Sequence, residues 1–207
     1  MSKPYAYDTI CLNILSRKEI FMKRTVWTKQ HKDILNILKK KGRFIAMKEY
    51  ILQGKEDISR FYFESYRWYA ERASKIVDKP EDVHYPIWVS LNKESILGLD
   101  PDTVLLEIEI DSDRVVEMDY SKWGYVVNYY YIPENEKDNQ RHNELLDKYE
   151  IDDSTAYMTS FYPHIKKEII KSWDSLFDKR RFNSREKVGT IWEIKSQWIK
   201  NVTHYKS

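Results

Sequence analysis

The strongest constraint in this chain is the alternation from Val104 to Ile110. Val104, Leu106, Ile108 and Ile110 fall on one face, and Leu105, Glu107 and Glu109 fall on the other. Successive side chains of a strand point to opposite sides, so this pattern specifies a half-buried strand. Asp111, Ser112 and Asp113 then supply turn chemistry, because their short polar side chains bond nearby backbone and compete with a ladder. A second strand is expected over Arg114 to Met118, giving a strand pair that the rest of the chain covers. It runs into Asp119, Tyr120 and Trp123, and then into the aromatic segment Tyr125 to Tyr131.

The 207 residues suffice for a full core, and one domain is expected over residues 22–207. Residues 1–21 read differently. A short apolar run, Ile10-Cys11-Leu12 with Ile14 and Leu15, precedes basic residues and a second methionine, Met22. Met22 to Trp27 looks like a fresh protein start leading into a strand, so residues 1–21 are either an upstream extension or an appended helix.

Charged residues make up 33% of the chain and hydrophobic ones 42%, which fits a folded globular protein rather than a disordered one. Sixteen Tyr and seven Trp exceed what a core of this size needs. Such rings favour places with one apolar and one wet side, so a cleft or a partner surface is expected. A net charge of +2 argues against general nucleic-acid coating. Lys39-Lys40-Lys41 and Lys179-Arg180-Arg181 read first as helix ends whose cations oppose the terminal dipole, and only second as phosphate sites. A single cysteine, Cys11, excludes an internal disulfide framework and a cysteine-cluster metal site. His31, His84, His142, His164 and His204 lack metal spacing, so no metal is expected. No apolar run approaches the roughly 20 residues of a membrane span. The N-terminus also lacks the order of a signal peptide, so a cytoplasmic protein without a membrane partner is expected.

The remaining elements follow from periodicity. Thr25 to Thr28 reads as a short strand, and Gln30 to Lys41 as a helix closed by Gly42. A helix over Arg60 to Val77, opened by Asp57 or Ser59, turns Tyr62, Tyr66, Tyr69, Ala73 and Ile76 inward and leaves Trp68 off the stripe, under a loop or in a cleft. Tyr85 to Leu91 is a strand with Pro86 at its entry, and Ile165 to Phe177 is the second main amphipathic helix. Strands are expected over Val188 to Ile194 and Trp198 to Tyr205. Pro133 to Asn143, the most polar stretch, has no periodicity and reads as a surface loop or a lid. The expected fold is therefore α+β: a single domain with a mixed β-sheet and two main amphipathic helices.

Several residues are candidates for chemistry. Asp119, four residues before Trp123, places a carboxylate near an indole, where it would orient a ribose hydroxyl or a base; a simple cap on the amides of Ser121 or Lys122 satisfies the same spacing. Glu107 and Glu109 are paired carboxylates suited to acid and base work, or else the exposed side of a sheet. Asn128, among Val126, Val127 and Tyr129, is a polar group in apolar company that must find partners if buried.

The aromatic words then form a familiar order. Trp27-Thr28-Lys29-Gln30, Ser65-Tyr66-Arg67-Trp68-Tyr69, Tyr85-Pro86-Ile87-Trp88, Asp119-Tyr120 with Trp123 and Val127-Asn128, Ser172 to Asp178, and Thr190-Ile191-Trp192 resemble the bacterial family known as domain of unknown function 3841, over roughly Met22 to Tyr205. The order of elements also resembles, at the level of fold, the ADP-ribosyltransferase superfamily. That resemblance implies NAD, with its nicotinamide held between aromatic side chains, an early strand supplying a first motif and a late strand supplying a Glu or Gln. Trp27 and Gln30 would stand at the first position, Tyr66 or Tyr62 at the second, and Glu193 at the third, although Val188 occupies the strand position where a Glu or Gln is most wanted.

Two functional classes follow. In the first, the chain handles a nucleotide or NAD, with Trp27, Gln30, Tyr66, Trp88 and Trp123 binding the cofactor and Asp119 and Glu193 as catalytic residues. In the second, a non-catalytic accessory module of bacterial or phage origin uses the same aromatic surface to bind a protein or a nucleic acid. A concave pocket where Trp27, Tyr66 and Trp123 converge with a carboxylate favours the first class, and a flat exposed patch the second.

Overall fold

The computed structural model describes residues 22–48, 59–96, 98–182 and 187–205. Residues 1–21, and with them the expected extension or appended helix, lie outside the described residues, as does Asp57. In chain order the elements are β1 (Lys23–His31), α1 (Ile34–Lys41), β2 (Arg43–Phe44), α2 (Ser59–Ala73), β3 (Ile87–Ser90), β4 (Thr103–Asp111), β5 (Val116–Asp119) and α3 (Tyr120–Val127). There follow α4 (Glu136–Lys148), α5 (Asp153–Met158), α6 (Pro163–Ser172), β6 (Lys187–Ile191), β7 (Ile194–Lys195) and β8 (Ile199–His204). The class is α+β.

The alternating segment becomes β4, in the order β5-β6-β3-β1-β4-β8 of a six-stranded sheet. Every pairing between these strands is antiparallel, where a mixed sheet was expected. The expected hairpin is also overturned. β4 pairs with β1 over nine residues and with β8 on its other side, while β5 pairs with β6 at the far edge. The reason lies in the turn: Ser112–Arg114 forms a 3-10 turn, and the Ser112 amide and hydroxyl both donate to the carbonyl of Met22, at 2.8 and 2.6 Å. That bond ties the corner to the start of β1. With both edges of β4 already taken, Val116 to Asp119 must find another strand.

Local signals place these helices, with adjustments. α1 ends at Gly42, whose φ of 69° suits a residue without a Cβ and whose amide donates to Leu38 O at 2.8 Å. It begins only at Ile34, because β1 continues through His31. In α2 the stripe holds for Tyr66, Tyr69 and Ala73, but Ile76 lies beyond the helix end and is exposed. Trp68 is buried too, because the 3-10 turn Trp173–Phe177 that continues α6 packs its rings against it. The polar stretch read as a loop is the start of α4: Asn135 accepts from the Asp138 amide at 3.0 Å as an N-cap, and His142 and Leu146 face inward.

The sheet separates two cores. On one face Val26, Ile87, Val89, Leu106 and Ile108 pack with Ile34 and Leu38 of α1 and with Ile194 of β7. On the other, Trp88, Val116, Met118 and Val188 meet α2, α3, α5 and α6. The helical layer does not extend evenly over β1 and β4: Trp27 and Glu107, which face each other across that pair, are only half-buried.

Gly189 in β6 is set by close approach. A Cβ there would lie 2.9 Å from Val115 Cγ1 and 3.0 Å from the Val116 carbonyl oxygen. Gly189→Ala is expected to cost about 1–3 kcal/mol in chemical denaturation through overpacking; a neutral or stabilising effect would mean that β5 and β6 yield at this point.

Candidate functional site

The site arises where the sheet stops pairing. β1 and β4 stay in register over nine residues, whereas β1 and β3 share only the pair Trp27↔Ser90. Beyond it the strands are joined by a side chain: the Thr28 hydroxyl donates to the Trp88 carbonyl at 2.8 Å, and Gln30 Nε2 donates to Thr28 Oγ1 at 2.8 Å. A cleft of about 530 Å³ opens there, lined from both sheet faces. Trp27 and Gln30 come from β1, Tyr66 from α2, Trp88 from β3 and Trp123 from α3. All five residues expected to bind a cofactor therefore line one cleft.

The rings order one another. Tyr66 meets Trp123 edge-to-face at 5.4 Å, and Trp88 meets Trp123 at 5.1 Å and Tyr69 at 5.9 Å. Trp88 Nε1 donates to the Tyr66 hydroxyl at 3.1 Å, which fixes the indole plane. Beneath them Tyr69 is fully buried against Thr190 Oγ1 at 2.8 Å, and that burial pushes its phenol well above the usual range. Lys29 is the one charged residue among the described residues lining the cleft, and its ammonium is held by the Gly98 carbonyl at 2.9 Å and by Asp100 at 3.0 Å. Aromatic walls with a few neutral polar groups suit a flat ring that carries hydrogen-bonding edges. Two larger hollows, of about 770 and 780 Å³, are lined largely by charged side chains such as Arg67, Glu71 and Lys79 in one and Arg141, Glu168 and Arg181 in the other.

The two carboxylates expected to be catalytic are not among the lining residues. Asp119 caps α3, accepting from the Ser121 amide at 3.0 Å and the Ser121 hydroxyl at 2.6 Å, with Lys122 Nζ 3.9 Å away. Burial, partly opposed by Asp119, moves the Lys122 ammonium below its ordinary range. Glu193 lies between β6 and β7 and pairs with Arg43 and, at 3.1 Å, with Lys195, while Arg43 also grips Asp82. Val188, the position where a Glu or Gln was most wanted, does line the cleft. Of the weaker candidates, Glu109 pairs with Lys200 at 2.9 Å, and Asn128 is exposed and donates to the Gly124 carbonyl as the end of α3.

A polar cluster that periodicity did not reveal joins α4, α5 and α6. His142, 2% exposed, has Nε2 at 2.7 Å from Asp153 and Nδ1 at 3.3 Å from Glu168. Its ring stacks on Tyr131 at 3.9 Å. The Tyr131 hydroxyl donates to Asp138 at 2.8 Å and accepts from Arg141, which also reaches Glu168. Burial, reinforced by Asp138, pushes the Tyr131 phenol up to about 12. The Glu134 amide, with Tyr131 and Arg141 behind it, holds the Asp138 carboxyl below the usual range despite desolvation. The only sequence signal was the cap at Asn135 followed by His142 and Leu146 one turn apart. Among the described residues no group of three or more His, Cys, Asp or Glu side chains is arranged to hold a metal ion, and no helix is long and apolar enough to cross a membrane.

Fold and site together define an α+β protein whose antiparallel sheet opens between two strands onto an aromatic cleft. The chain belongs to the family described as Domain of unknown function (DUF3841), whose model matches residues 25–200. Comparison with curated proteins and with solved structures found no match.

Proposed function

We propose that this chain binds a nucleotide, with NAD as the best-fitting one, in the cleft between β1 and β3. The observation that carries this is the convergence of Trp27, Gln30, Tyr66, Trp88 and Trp123, from four separate elements, at the point where the β1–β3 ladder stops. A flat base or nicotinamide ring enters among the aromatic walls, and the carboxamide of Gln30, oriented by Thr28, addresses its polar edge. With Asp119 and Glu193 occupied by a cap and by ion pairs, and Val188 at the cleft, the reading is one of binding, and no catalytic step is assigned. The alternative, a module that holds a protein or nucleic-acid partner, draws on the exposed rings of Tyr125, Tyr130 and Phe161.

Titration with NAD and ADP-ribose, followed by tryptophan fluorescence and thermal melting, separates the two. Ligand at a hundredfold excess over its dissociation constant stabilises the folded state by about 2.7 kcal/mol. For a chain of this size that is a rise of about 5–10 °C in melting temperature. The rise is expected to saturate and to be lost in Trp88→Ala. No shift at millimolar ligand would sink the nucleotide reading and leave the partner-binding one.

A further inference from the structure

Among the described residues, the β4 carboxylates other than Glu107 on the Trp27 side of the sheet are neutralised. Asp111 pairs with Lys23 at 2.7 Å, Glu109 with Lys200 at 2.9 Å and, at the rim, Asp100 with Lys29 at 3.0 Å. Glu107 differs. It has no cationic partner among the described residues, and its Oε2 instead accepts from Trp27 Nε1 at 3.3 Å, directly across the β1–β4 register. A carboxylate that accepts the indole N–H pushes electron density into that ring. The ring is one wall of a cleft whose other walls are Tyr66, Trp88 and Trp123, and electron-rich faces attract a cation. Lys29, the single cation among the described lining residues, is held by Gly98 and Asp100, so it does not oppose a positive guest.

Resting on the nucleotide reading, we propose that the ring taken by the cleft is positively charged: a planar N-alkylpyridinium, as in an oxidised nicotinamide dinucleotide, with Glu107 setting the charge preference. Neutral rings of the same shape, including the reduced dinucleotide and adenine, are disfavoured at this position. Calorimetric titration of the full chain with the N-methylnicotinamide cation and with neutral nicotinamide tests this, with NAD run alongside. The cation is expected to bind about tenfold more tightly than the neutral amide. Glu107→Gln, which keeps the acceptor and removes the charge, is expected to abolish most of that difference between the two rings. Its melting curve verifies folding, and the comparison of the two rings on the unaltered chain stands without it. Equal affinities, or a preference that survives in a folded Glu107→Gln, overturn the proposal. Binding of NAD with neither ring compound bound overturns the charge preference alone; absence of NAD binding as well removes the nucleotide reading with it.

Discussion

Replacing His142 with alanine is expected to destabilise the chain by about 3 kcal/mol. The ring is almost fully buried and holds Asp153 of α5 and Glu168 of α6 from its place on α4. Each ring nitrogen meets a carboxylate oxygen from a different helix, so the ring ties α5 and α6 to α4. Removing it leaves two carboxylates facing each other across a cavity. The cost falls at the lower end of the range for broken buried pairs, because the Asp153 and Glu168 side chains keep 15% and 29% of their exposure. In melting experiments this is a loss of about 6–12 °C. Adding Asp153→Asn to the alanine variant is expected to recover part of the loss, since it removes one uncompensated charge. If His142→Ala costs less than about 1 kcal/mol, the cluster is ornamental to folding.

Trp173→Ala is expected to cost more, about 4 kcal/mol. Trp173 has no exposed surface and joins α2 to α5: Trp68 meets its ring edge-on at 5.2 Å and Tyr157 lies at 5.4 Å. Its Nε1 also donates to the Tyr130 carbonyl at 2.8 Å, and that acceptor is left unpaired when the indole goes. Trp173→Phe keeps most of the packing but not the donor, so it is expected to lose about 1–2 kcal/mol, the value of one buried hydrogen bond with some lost contact. Denaturant titration of both variants gives the comparison. Equal losses would mean that packing alone accounts for the position.

The types of residue around the cleft were legible in the sequence, but the cleft was not. Trp27, Gln30, Tyr66, Trp88 and Trp123 stood out as aromatic or polar residues at strand and helix positions, and they do converge. Their convergence depends on the β1–β3 ladder stopping after one pair, which is a property of two distant segments and leaves no local trace. Asp119 shows the opposite case: its capping role was readable, because a cap needs only the amides two residues on. Glu193 was placed by analogy with a late strand, and its partner Arg43 lies far away in sequence. The start of α4 was missed because the inward residue within Pro133 to Asn143 is a histidine, which patterning counts as polar and which only the carboxylates of α5 and α6 make fit to bury.

The sequence by itself determined the elements whose signal is local. β4 follows from strict alternation, the end of α1 from Gly42, and the inward face of α2 from the spacing of Tyr66, Tyr69 and Ala73. Each rests on backbone geometry within a few residues. Only the tertiary structure decided which strand lies beside which, that β5 pairs with β6 and not with β4, and that the sheet opens beside Trp88. Alternation tells a strand which face to bury and says nothing of its neighbour. That choice is made by which edges remain free once the other strands have paired.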